Sequence, residues 1–128
     1  MRTSLPKARP KYLDLLKIKL PITGVVSIAH RLSGVLLVLS LPLWLFFLDL
    51  SLKDTSSYNL VAGKLDNFFF KMLVIIGFWA LIHHFFAGIR YLLIDIGIGE
   101  SKQSAISMSK LVFAAEAVVM LFIIGWLI

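Results

Sequence analysis

From Leu32 to Leu48 the chain carries no charged side chain, and two further apolar runs begin near Phe68 and near Lys110. With the few residues before it, the first run is long enough to cross a bilayer as a helix. In hydrocarbon a continuous helix is favoured because it satisfies its backbone N–H and C=O groups internally. Composition agrees: 59% of residues are hydrophobic and mean hydropathy is +0.93, too apolar for an ordinary soluble domain. The expected fold is an all-α membrane protein with three transmembrane helices, at about 22–50, 67–95 and 110–128. A basic segment, 1–21, precedes them. Three helices of this size bury little by themselves, so partner subunits are expected to complete the bundle.

Charge sets the orientation. Lys and Arg number 13 against 7 Asp and Glu, a net +6, and they cluster outside the apolar runs. The first segment carries Arg2, Lys7, Arg9, Lys11, Lys17 and Lys19 against Asp14 alone, which places it in the cytoplasm. Pro6 and Pro10 keep its start extended, and Tyr12, Leu13 and Leu16 stand among the charges. It reads either as an interfacial segment or as a solvated tail. Between the first two helices, Lys53 and Lys64 are balanced by Asp49, Asp54 and Asp66. That stretch, rich in Ser, Thr, Asn and Gly, reads as an outer loop. After the second helix, Arg90, Lys102 and Lys110 outnumber Asp95 and Glu100, which returns the chain to the cytoplasm. No basic patch interleaved with aromatics points to nucleic acid. No cysteine is present, which excludes thiolate-held clusters, thiol nucleophiles and covalently attached c-type haem. The N-terminus lacks the pattern of a cleavable signal, and a bacterial inner membrane is the expected location.

The chemistry-bearing residues lie inside the spans. His84, Gly88, Tyr91 and Asp95 fall on one helical stripe roughly 16 Å long. Polar side chains are costly against lipid, so the stripe should face something polar and bulky within a bundle, for which haem is a candidate. The plainer reading of His84 is an interhelical hydrogen bond. Gly88 leaves room for a flat ring, and Arg90 and Tyr91 follow where propionates would emerge. His83, rotated by about 100°, points elsewhere. On the first helix, which should begin after Pro21 and kink at Pro42, Ser27, His30, Arg31 and Gly34 share a face. Arg31 either snorkels to the interface or joins Ser27 in donating to a carbonyl ligand such as a quinone. Glu116 falls inside the third helix, where a central charge costs about 2.5–3.5 kcal/mol. It is expected to be protonated, to pair with a group of a partner chain, or to snorkel.

Two stretches resemble the cytochrome b556 subunits of succinate dehydrogenase, the larger of that enzyme's two membrane anchors. One is Arg9-Pro10, Leu13-Asp14-Leu15, Pro21 and Ser27-Ile28-Ala29-His30-Arg31-Leu32-Ser33-Gly34. The other is His84-Phe85-Phe86-Ala87-Gly88-Ile89-Arg90 with Asp95 and Gly97. The resemblance implies that His84 is an axial ligand to a single haem b, opposite a histidine of a small hydrophobic anchor subunit. It implies that Ser27 and Arg31 bind ubiquinone and that His30 lies near a haem propionate. Electrons would come from a succinate-oxidising flavoprotein through an iron–sulfur subunit docked on the cytoplasmic face. Tyr91, Ile94 and Lys11 depart from the family pattern, and Tyr91 bears on the propionate contacts. Competing readings are the anchor of a menaquinol-oxidising fumarate reductase and a haem-free membrane scaffold or transporter component.

Overall fold

The computed structural model describes residues 19–127. The interfacial or solvated placement of the basic segment, and the Arg9-Pro10 and Leu13-Asp14-Leu15 elements, lie outside the described residues. Four helices follow in order: α1 (Ile22–Ser51), α2 (Thr55–Lys64), α3 (Phe68–Asp95) and α4 (Lys102–Leu127). Among the described residues, three of them, α1, α3 and α4, are long and apolar enough to cross a membrane.

Local sequence explains each boundary. Pro21 is extended, with φ −64° and ψ 154°, and its carbonyl accepts from the N–H groups of Gly24 (2.9 Å) and Val25 (3.1 Å). A proline here forfeits no helical bond, since the first N–H groups have no partner. α1 runs unbroken through Pro42. It ends where Leu52 donates back to the carbonyls of Leu48 and Asp49. Asn67 opens α3 by accepting from the N–H groups of Phe69 and Phe70. α3 closes with paired bonds: Gly97 N–H to the Ile94 carbonyl and Ile98 N–H to the Leu93 carbonyl, each 2.9 Å. That closure requires a left-handed residue, and Gly97 supplies it at φ 82°.

Two boundaries differ from the sequence-based expectation. The stretch expected as an outer loop contains α2, because Asp54 is an N-cap: its carboxylate accepts from Ser57 N–H at 2.7 Å. That bond, on an exposed side chain, holds the Asp54 carboxyl below the usual carboxylate range. The third span begins at Lys102 rather than near Lys110, because the Ser101 hydroxyl oxygen accepts from Ser104 N–H at 3.1 Å and caps α4. Both caps are polar residues in polar surroundings, where apolar periodicity gives no signal.

α3 is the central helix. α1 packs on one side of it and α4 on another, with a smaller contact between α1 and α4. Val26, Ala87 and Val112 form the buried core, one residue from each span, with Phe86, Tyr91 and Phe113 against them. Nearer the other end, Trp44 lies on Gly77 so closely that a Cβ there would fall 2.5 Å from its ring. Much of the remaining apolar surface is open: Val38, Leu39, Phe122 and Trp126 are all more than 70% exposed. Such a surface is stable only against lipid or partner subunits.

Candidate functional site

The start of α1, the end of α3 and the first half of α4 meet at one end of the bundle, and the polar residues of the spans converge there. His30 of α1 and His84 of α3 stack, with ring centroids 4.1 Å apart and planes 11° from parallel. Ser33, one turn beyond His30, donates its hydroxyl proton to the His30 carbonyl at 2.8 Å. His84 Nδ1 lies 3.3 Å from that same carbonyl and 3.3 Å from Ser33 Oγ. The Ser33 proton is already committed and a carbonyl only accepts, so Nδ1 must be the protonated nitrogen. Nε2 of His84 is left with a free lone pair. A neutral imidazole fixed in this tautomer by a backbone carbonyl is the form in which histidine binds a metal.

Gly34 makes the stack possible. A Cβ at that position would lie 3.1 Å from Cε1 of His84. Gly88, expected to make room for a flat ring, faces His30 instead, and a Cβ there would sit 3.7 Å from Nε2 of His30. Of the two glycines, Gly34 is therefore the one His84 depends on.

Beyond the stack lies a group of buried polar atoms without protein partners. Tyr91 packs on His30, with centroids 5.2 Å apart at 55°. The Arg90 guanidinium sits 5.1 Å from the centre of the Tyr91 ring and is only 5% exposed. Nε2 of His30, Nε of Arg90 and the Tyr91 hydroxyl are all buried and find no hydrogen-bond partner. Leaving one such group unpaired costs about 1–3 kcal/mol. Arg90 can only donate, and the Tyr91 hydroxyl can donate as well. Together they form a natural seat for an anionic oxygen ligand.

The structure thus brings together four sequence-predicted residues: His30, His84, Arg90 and Tyr91. Ser27 is half-buried and Arg31 exposed, one turn apart on α1. Among the described residues, no hydrogen bond or ring contact ties these two to the histidine stack. Asp95, the last member of the predicted stripe, is exposed at the end of α3. Sequence reasoning passed over Ser33 as a site residue; its i+3 spacing from His30 is the available clue, since serine hydroxyls bond back to carbonyls one turn earlier.

Glu116 corrects an expectation. It neither snorkels nor waits for a partner chain: its Oε2 lies 2.7 Å from Nδ1 of His83, both residues buried. His83 does point away from His84, as helical geometry requires, but toward α4 rather than toward lipid. Trp79 stacks beside its ring and Phe113 tilts against it, each with centroids at 5.7 Å.

The chain's similarities to known proteins lie in one direction. A family model described as succinate dehydrogenase/fumarate reductase transmembrane subunit matches residues 6–123. The succinate dehydrogenase cytochrome b556 subunit of Coxiella burnetii is 40% identical over 94 residues, 73% of this chain and 75% of that one. The cytochrome b560 subunit of the same enzyme from Reclinomonas americana is 34% identical over 94 residues, 70% of this chain and 65% of that one. The cytochrome b556 subunit of Paracoccus denitrificans is 26% identical over 110 residues, 86% of this chain and 85% of that one.

Proposed function

The chain belongs to the succinate dehydrogenase/fumarate reductase transmembrane subunit family, as a multi-pass anchor that is not catalytic alone, and from this premise we propose what it binds and where. It holds haem b together with a small partner anchor subunit, through His84. It forms part of a ubiquinone-reduction site through Ser27 and Arg31.

The observation that carries this reading is the state of His84. Its Nδ1–H is committed to the His30 carbonyl and Ser33 oxygen of α1, so Nε2 is the available ligand atom. The unpaired His30 Nε2, Arg90 Nε and Tyr91 hydroxyl beside it fit the carboxylates of haem propionates. Tyr91 offers a hydroxyl where the family pattern has other residues, so its departure keeps a donor in place. When bound, haem supplies a one-electron redox centre at this end of the bundle. Toward quinone, this chain's residues polarise and position: Arg31 and Ser27 donate to a carbonyl oxygen and stabilise the negative charge that builds as electrons arrive. Succinate oxidation yields two electrons and two protons, and quinone reduction takes up the same number, so the exchange balances.

Orientation follows from charge. Lys19, Arg31, Arg90, Lys102 and Lys110 outnumber Asp95 and Glu100 at the site end, whereas Lys53 and Lys64 are offset by Asp49, Asp54 and Asp66 at the other. The site end therefore lies on the cytoplasmic side, with the N-terminus, and the membrane we assign it to is a bacterial inner membrane. The iron–sulfur subunit and flavoprotein dock on that face.

Replacing Arg31 with leucine in the assembled complex tests the quinone assignment. Quinone reduction should fall by about 100-fold, the scale expected when one pre-placed donor is lost. Succinate oxidation with a soluble artificial acceptor should stay at the wild-type rate. Equal loss of both would refute the assignment. A reduced-minus-oxidised spectrum with a b-type band supports haem, whereas a complex without one is a haem-free scaffold. Turnover with ubiquinone rather than menaquinol separates succinate oxidation from the fumarate reductase reading.

A further inference from the structure

The His83–Glu116 pair takes no part in the chemistry above, yet it is the most deeply enclosed polar contact among the described residues. His83 is fully buried, Glu116 is 7% exposed, and the two residues, 33 positions apart in sequence, join α3 to α4. Such a contact is costly to place and more costly to break, since neither group has water to fall back on. Packing between apolar helices in a membrane leaves rotation about the helix axis weakly specified, because lipid and leucine are equally apolar. A buried polar pair removes that freedom. α3 carries two imidazoles in succession, about 100° apart around its axis. One is held by α4 through Glu116, the other reaches α1 through the His30 carbonyl and Ser33.

We propose that Glu116 is a positioning residue for His84. By gripping His83 from α4, it sets the rotation of α3 and so the direction in which the neighbouring imidazole presents Nε2. Three features support the lever. The two histidines are adjacent, so no flexible backbone intervenes between grip and ligand. Trp79 and Phe113 flank the His83 ring, which leaves it little room to follow a different partner. The opposing contacts on His84 are both 3.3 Å, longer than the 2.7 Å grip, so the stronger bond is the one on His83.

The inference rests on His84 being the haem ligand, and the test separates the two claims. The assembled complex is purified carrying His84→Leu, Glu116→Gln, Glu116→Asp or the double change His83→Phe with Glu116→Leu, and low-temperature paramagnetic resonance of the oxidised haem is recorded. The His84→Leu variant must lose the wild-type axial signal; if it does not, the ligand assignment fails, and this proposal with it. Given that loss, Glu116→Gln, with His84 intact, keeps an acceptor of the same length and should retain the wild-type signal. Glu116→Asp shortens the grip, and the double change replaces the pair with apolar groups that still fill the space. Both should shift the low-spin signal, with haem retention about tenfold weaker, as for loss of a metal ligand's support. A pair that served stability alone would leave the signal unmoved in the double variant. Wild-type signals in both variants, or in Glu116→Asp alone should the double variant not assemble, would overturn the proposal.

Discussion

Two neighbouring residues of α3 meet opposite fates. On the face toward α4, His83 is sealed: fully buried, bonded to Glu116 and flanked by Trp79 and Phe113. On the face toward α1, His84 is half-buried, stacked on His30 and held through Nδ1. The sealed face specifies how the helices meet. The open face retains an unused ligand atom and borders unpaired donors. Each imidazole is held within the chain through Nδ1 only, and Nε2 of His83 is buried without a partner, so what separates the two is enclosure: His83 is shut in between Trp79 and Phe113, whereas His84 is half-buried.

That contrast can be broken most directly at His84. His84→Leu should abolish the wild-type low-spin haem signature in visible and resonance spectra, and His83 should not replace it, because its ring is enclosed by α4. Next in size is the sealed face. Glu116→Leu alone strands a buried imidazole, and an expected loss of about 3 kcal/mol, the upper end for a buried polar group left without its partner, should appear as a lower melting temperature of the purified complex. Pairing it with His83→Phe should recover most of that loss, since removing both polar partners is far cheaper than removing one. A smaller effect is expected at Gly34, where an added methyl meets the His84 ring at 3.1 Å. Gly34→Ala should shift the haem spectrum, with a stability cost of about 1–3 kcal/mol from overpacking.

The smallest effect lies at the far end of the bundle and serves as a control on both faces. Asp54 has its folded pKa lowered by the Ser57 N–H, so the cap is intact above the unfolded carboxyl value of about 3.9. Its contribution fades as pH falls through the lowered folded value. Hydrogen exchange at Ser57 and Tyr58 should therefore be slowed to the same degree at pH 7 and pH 5, relative to Asp54→Ala. The haem signal should not respond to that substitution.

Much of this organisation is legible without coordinates. The uncharged run from Leu32 to Leu48 demands a span, and Pro21, Asn67 and Gly97 punctuate the helices. His30 and His84 stand out as polar residues in apolar runs. What escaped notice was of two kinds, local caps in polar stretches and contacts between residues distant in sequence. Asp54 and Ser101 start helices in polar stretches where hydrophobic spacing says nothing. Ser33 looks like an ordinary small residue until its hydroxyl is seen on the carbonyl that holds His84.

Glu116 marks the division most sharply. Sequence alone determined that a carboxyl lies within an apolar helix and that His83 and His84 diverge around theirs, because spacing along one helix dictates which residues share a face. Only the tertiary structure decided that the carboxyl meets His83, because the rotation of one helix against another is set by contacts that no single helix contains.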